Sequence, residues 1–254
     1  MTRLHGTKDF WLGGLRTEAA AFAAAVAQAP ADAPVPSCPG WTVTDLIHHV
    51  GGTYESVIAL FERGGTERPD LAGAPPGNPP ADEAALAWWQ MRYDTLLSTL
   101  DAADPETPMW NWAPQTKRAG FWHRRMAHET AVHRWDAQMA SGASEPIEAK
   151  LAADGISEVL DTWLPAGKRQ SGDRPHGVVQ LLAADADQEW LVRLRGEGVA
   201  LLDTDTILDG EEPPARVHAE GTSSDLLLAL YARVGFDVLV VSGDPTLLTA
   251  LRTG

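Results

Sequence analysis

The run Met126-Ala127-His128-Glu129-Thr130-Ala131-Val132-His133-Arg134-Trp135-Asp136 constrains the fold most, because it puts ionisable groups on a helical face that must pack. At about 100° per residue, Glu129 and His133 project about 40° apart, in a sector shared with Trp122, Met126, Ala137 and Ala140. A carboxylate and an imidazole in an apolar stripe need partners, since burying an unpaired charge is costly. Around the rest of the helix, Arg124, Thr130, Arg134 and Gln138 read as the solvated face. His128 lies roughly 140° from His133, so the two histidines do not share a face as in the zinc-protease helix. The usable spacing is Glu-x-x-x-His.

Two donors make a weak metal site, and Cys38-Pro39-Gly40-Trp41-Thr42-Val43-Thr44-Asp45-Leu46-Ile47-His48-His49-Val50 offers a third. Val43, Leu46, Ile47, Val50, Tyr54, Val57 and Ile58 trace one helical face. His49 lies at its margin and His48 projects to the polar side. Thr42 or Thr44 can cap this helix after the Pro-Gly break, with Asp45 in its first turn. Other readings of the same residues remain open. Arg125 and Glu129 are four apart and can form a helix-face ion pair, and His49 can be a core histidine with one hydrogen bond. Together, His49, Glu129 and His133 have the donor types of a divalent site that leaves positions open for water or substrate.

At 254 residues and 44% hydrophobic content, the chain can build one large or two ordinary cores. A formal charge of -15 opposes binding to nucleic acid or anionic lipid, which points to small-molecule partners. No apolar run approaches membrane-spanning length. The single cysteine, Cys38, precludes an internal disulfide and suits a reducing cytoplasm. With no basic neighbour in sequence, it reads as a structural thiol rather than a nucleophile. Residues 1–28 include Lys8, Asp9 and Glu18 and lack the pattern of an export signal.

Pro/Gly punctuation predicts helices at 7–28, 42–63, 82–102 and 119–141, with a long loop at 64–80. Four amphipathic helices make a bundle. The aromatic stretch Met109-Trp110-Asn111-Trp112-Ala113-Pro114 reads as a cap over its end, or as a pocket wall. After residue 145 the texture changes. A helix at 151–164 precedes short β-type runs at 177–183, 189–194, 199–202 and 215–219, with turns at 185–187 and 196–198. A helix at 226–234, capped by 221–225, a strand at 238–241 and a closing helix complete the chain. The expected class is a two-domain α+β protein: a bundle over 1–144, then a small α+β domain over 145–254 with a mainly antiparallel sheet. There is no phosphate-cradling Gly-rich loop and no Gly-x-Ser-x-Gly elbow.

Segments 38–50 and 124–136, joined to Gly221-Thr222-Ser223-Ser224-Asp225-Leu226-Leu227-Leu228, resemble the mycothiol-dependent maleylpyruvate isomerase family over nearly the full chain. The family's Trp-Thr-Val-x-Asp-Leu segment ending in a histidine is matched through His49, and its Glu-x-x-x-His pair through Glu129 and His133. The resemblance implies a DinB-like four-helix bundle carrying a divalent metal, with zinc the expected ion and water its fourth ligand. It also implies mycothiol as thiol cofactor or co-substrate and an electrophilic small molecule as substrate. In the isomerase version, thiolate adds to an activated cis double bond, the resulting single bond rotates, and elimination gives the trans isomer. In the transferase version, the thioether is released. Asp136, one turn beyond His133, can accept an imidazole N–H or form an ion pair of its own. For a carboxylate substrate, Arg125 or Arg233 can supply the cation. Rival classes are a metal-dependent hydrolase working through zinc-bound hydroxide and a non-catalytic metal- or ligand-binding regulator.

Overall fold

The structure is a computed structural model that describes residues 6–69, 80, 84–168, 172, 174–196, 198–202 and 215–253. It divides into two compact units, Met1–Glu145 and Pro146–Gly254. Among the described residues no helix is long and apolar enough to cross a membrane.

The first unit is built from α1 (Lys8–Gln28), α2 (Val43–Arg63), α3 (Ala85–Ala102) and α4 (Gly120–Ser141). Each of the first two starts at a threonine whose hydroxyl accepts an otherwise unsatisfied amide: Thr7 from Phe10, Thr42 from Asp45. At α2 the cap is reciprocal, since the Thr42 amide donates to the Asp45 carboxylate at 2.9 Å. Hydrogen bonds from the Thr42 backbone and hydroxyl hold the Asp45 carboxyl below its usual range. Helix α1 packs against α4 and α3, and α2 packs against α3 and α4, so the circular order is α1-α4-α2-α3. Leu15, Phe22, Leu46, Val50, Tyr54, Trp89, Leu96, Leu100 and Met126 fill the core between them. Residues 70–79 of the predicted 64–80 loop, and residues 82–83 of the predicted third helix, lie outside the described residues.

One expectation fails here. Thr130, Arg134 and Gln138 do not form a solvated face; all three are buried. Packed between α1 and α2, α4 is enclosed on nearly every side, and its polar groups are matched across helices. Arg134 donates to Glu18 of α1 at 2.6 Å and also to Gln138 and to the Glu145 carbonyl. Tyr54 of α2 is 2.6 Å from the Thr130 hydroxyl, which itself donates to the Met126 carbonyl.

The aromatic loop packs as a cap. Its polar centre Asn111 is fully buried, accepting from the Ala113 amide and donating to the Thr116 carbonyl. The Trp110 carbonyl accepts from the Trp122 indole at 2.7 Å, tying the loop to α4.

The second unit opens with α5 (Ala149–Glu158), whose last turn widens to a π-helix at Val159–Trp163. Strands β1 (His176–Ala183), β2 (Gln188–Arg195), β3 (Gly198–Leu202), β4 (Arg216–Gly221) and β5 (Val240–Gly243) form one sheet in the order β3-β2-β1-β4-β5. Three pairings are antiparallel, as expected for a mainly antiparallel sheet, and β1–β4 is parallel. Alternate residues Val179, Leu181, Trp190, Val192, Val217 and Ala219 are buried, the period-2 signature of a sheet with one packed face. Helix α6 (Ser223–Leu230) and a short α7 (Thr246–Thr249) pack on the sheet, and α5 packs on α6. Helix α6 ends four residues earlier than predicted. Ala232 takes φ 57°, and the Arg233 amide turns back to the Leu228 carbonyl at 2.8 Å, closing a left-handed cap normally marked by glycine.

Helix α2 approaches α3 closely at Gly51, where an added Cβ would meet the Trp88 ring at 2.2 Å. That ring is bracketed by His48 and by Arg92. Helix propensity alone favours Gly51→Ala by about 1 kcal/mol. Overpacking against a held indole reverses the sign, and a net loss of about 1–3 kcal/mol is expected in urea unfolding. A more stable variant would show that Trp88 yields freely.

Candidate metal centre

The Thr42 cap fixes where α2 begins, and two turns later His49 points its Nε2 at Glu129 Oε1 of α4, 3.1 Å away. His133, one turn beyond Glu129, brings its own Nε2 to 3.3 Å from the same oxygen. Potential ligand atoms of His49, Glu129 and His133 all lie within 4.8 Å of one another. The set is graded in exposure: the His49 side chain is 39% exposed, Glu129 13% and His133 8%. One side is therefore open to a ligand and the other is anchored in the bundle.

Each α4 donor is held from behind. Arg125, itself buried, donates from Nη2 to Glu129 Oε2 at 2.7 Å, leaving Oε1 toward the histidines. On His133 the Nδ1–H donates to Asp136 Oδ2 at 2.8 Å, so that the ring, when neutral, carries its lone pair on Nε2. Trp41 covers one side, with ring centroids 4.9 Å from His49 and 6.4 Å from His133, the latter nearly parallel. Cys38, three residues earlier, is buried with its Sγ 3.4 Å from Asp136 Oδ2.

The electrostatics follow from this packing. Burial pushes the Glu129 carboxyl up, but His133, His49 and Arg125 outweigh it and hold the group well below the ordinary carboxylate range. Burial pushes His133 down, whereas the Glu129 charge and the Asp136 hydrogen bond raise it to about 9. Two imidazoles and one carboxylate, with the tautomer of the buried imidazole fixed from behind, suit a divalent ion of the zinc type. The donor chemistry therefore fits the implied metal.

Of the residues singled out by sequence, the structure brings His49, Glu129, His133, Arg125 and Asp136 into one cluster. Arg125 takes the ion-pair role, its guanidinium bound to Glu129. Arg233 belongs to the other unit, in the turn after α6 rather than in the helix, and donates to the Tyr231 carbonyl at 3.1 Å. Spacing did not single out Trp41 as a wall or connect Cys38 with Asp136. The only hint was the Pro39-Gly40 turn, whose Gly40 takes φ 85° and folds both side chains toward α4.

The family model for the mycothiol maleylpyruvate isomerase N-terminal domain matches residues 12–138, and the chain belongs to that family. Two crystal structures share the whole fold: that of the mycothiol-dependent maleylpyruvate isomerase and that of a histidine-to-alanine mutant of it. Each aligns with a TM-score of 0.64 and 16% identity, over 95% of this chain and 96% of the other. No curated protein matches by sequence.

In the metal-free protein the two shifts bound a window of stability. The lowered carboxyl of Glu129 contributes stability above 4.5, its unfolded value, and loses it as pH falls through the folded value. The raised His133 contributes fully below pH 6.5 and loses its contribution as pH climbs through about 9. The melting temperature of chelator-treated protein is expected to decline over that upper interval, and His133→Gln to flatten the decline. An unchanged slope in the variant would contradict the pairing.

Proposed function

We propose that the protein is a metal-dependent, mycothiol-using enzyme that activates a thiol toward an electrophilic small molecule, by cis-trans isomerisation or by S-transfer. The observation that carries this reading is the convergence of His49 Nε2, Glu129 Oε1 and His133 Nε2 on one partly open point. Three protein donors leave room for an exogenous ligand, the arrangement of catalytic rather than purely structural zinc sites. Family membership and the fold shared with the mycothiol-dependent maleylpyruvate isomerase support the thiol and the reaction class.

In this proposal His49, Glu129 and His133 hold the ion. Bound there, zinc supplies the Lewis acidity that keeps a coordinated thiol as thiolate near neutral pH. The chain's own residues prepare the place. Asp136 retains the Nδ1 proton of His133 so that Nε2 is presented, and Arg125 aligns Glu129 by occupying its second oxygen. Trp41 contributes an apolar wall that limits water on one side. The chain carries no accessible thiol of its own at the centre, since its single cysteine is buried, so the nucleophile comes from a small thiol.

His133→Ala is expected to lose nearly all zinc on dialysis while keeping the helical circular dichroism of the wild type. Arg125→Gln should retain the ligands but weaken zinc binding on the order of 10-fold, as loss of a group supporting a ligand typically does. Turnover of a cis-unsaturated oxo acid or another soft electrophile should require added mycothiol. Full activity in thiol-free protein would refute the thiol requirement, and unchanged zinc content in His133→Ala would refute the ligand assignment.

A further inference from the structure

We infer that Cys38 is a positioning residue for the metal centre, bracing the two segments that supply its donors; the inference rests on the metal reading above. Three buried groups form a chain of contacts: Cys38 Sγ to Asp136 Oδ2 at 3.4 Å, and the same oxygen to His133 Nδ1 at 2.8 Å. A carboxylate offers only lone pairs, so the thiol donates its S–H and the imidazole its N–H. Both hydrogen bonds converge on Oδ2, and together they pin the carboxylate in the orientation that keeps Nε2 of His133 turned toward Glu129 and His49.

The position of the thiol is itself determined by the loop that leads into α2. The Cys38 amide donates to the Val35 carbonyl, the Trp41 amide donates to the Cys38 carbonyl, and the Val35 amide donates to the Trp41 carbonyl, each within 3.0 Å. Gly40, at φ 85°, closes this ring. Thr42 then caps the helix that carries His49. Cys38 thus ties the start of the His49 helix to the carboxylate behind His133, two points 98 residues apart in the chain. A cysteine serving only as a small apolar filler would be replaceable by valine without disturbing the histidine; a brace requires a donor at this position.

The brace can be tested with Cys38→Val, which keeps an apolar group of similar size, and Cys38→Ser, which keeps a donor. The first measurement is made on metal-free protein: the nitrogen-15-edited proton resonance of the His133 Nδ1–H. It is expected to persist in Cys38→Ser and to broaden or shift in Cys38→Val, with both variants melting at similar temperatures. The second is a titration with cobalt(II), followed by its visible ligand-field bands. Wild type and Cys38→Ser should bind with near-equal affinity, and Cys38→Val about 10-fold more weakly, the range for outer partners of a metal-bound histidine. A wild-type resonance and affinity in Cys38→Val would overturn the inference, as would equal impairment in both variants. Should wild-type protein bind no cobalt at all, the metal reading fails, while the metal-free resonance still decides the role of Cys38.

Discussion

The first unit depends on the enclosure of α4. A helix packed on nearly every side cannot leave polar side chains to water, so each one needs a partner from another element or costs several kcal/mol. The partners come from all around: Glu18 of α1 for Arg134, Tyr54 of α2 for Thr130, and the carbonyls of Ala119 and Leu100 for the ring of His123. These contacts specify position as much as they add stability. A hydrophobic helix could slide by a residue and repack, whereas one carrying Arg134 and Thr130 finds its donors and acceptors in only one register.

The same logic, applied where the enclosure opens, yields the candidate centre. Moving outward from Asp136, which is fully buried, through His133 to His49, whose side chain is 39% exposed, the polar chain runs from the core to the surface. Its inner members are held by the protein and its outer member is within reach of solvent. An ion placed among His49, Glu129 and His133 would replace hydrogen bonds that already hold the donors together, so little reorganisation stands between the metal-free and loaded arrangements.

The elements written in local periodicity were legible in the sequence: a threonine cap at Thr42 or Thr44 with Asp45 in the first turn, the inward sector of Glu129 and His133, and the alternation of the strands. Features whose partners are remote were not. Arg134 looked solvent-facing because its acceptor, Glu18, is 116 residues away, and a polar letter on a helix carries no mark of a distant mate. The parallel pairing of β1 with β4 depends on a long connection rather than on a local turn. The early end of α6 escaped because Ala232, not a glycine, adopts the left-handed conformation. Cys38, with no basic neighbour in sequence, reads as a structural thiol, but its contact with Asp136 exists only in three dimensions.

The location of the centre reduces to a count along two helices. Thr42 is the fixed origin of α2, because its hydroxyl and the Asp45 carboxylate close the first turn on each other. Seven residues on, His49 has rotated almost two full turns and lies about 20° from the angular position of Thr42. Adding or removing one residue between them would swing the imidazole by about 100° and shift it about 1.5 Å along the axis, out of reach of Glu129. On α4 the four-residue step from Glu129 to His133 fixes the other two donors by the same rule. The cap therefore does more than start a helix: it sets the phase in which a histidine from one segment meets a carboxylate from another.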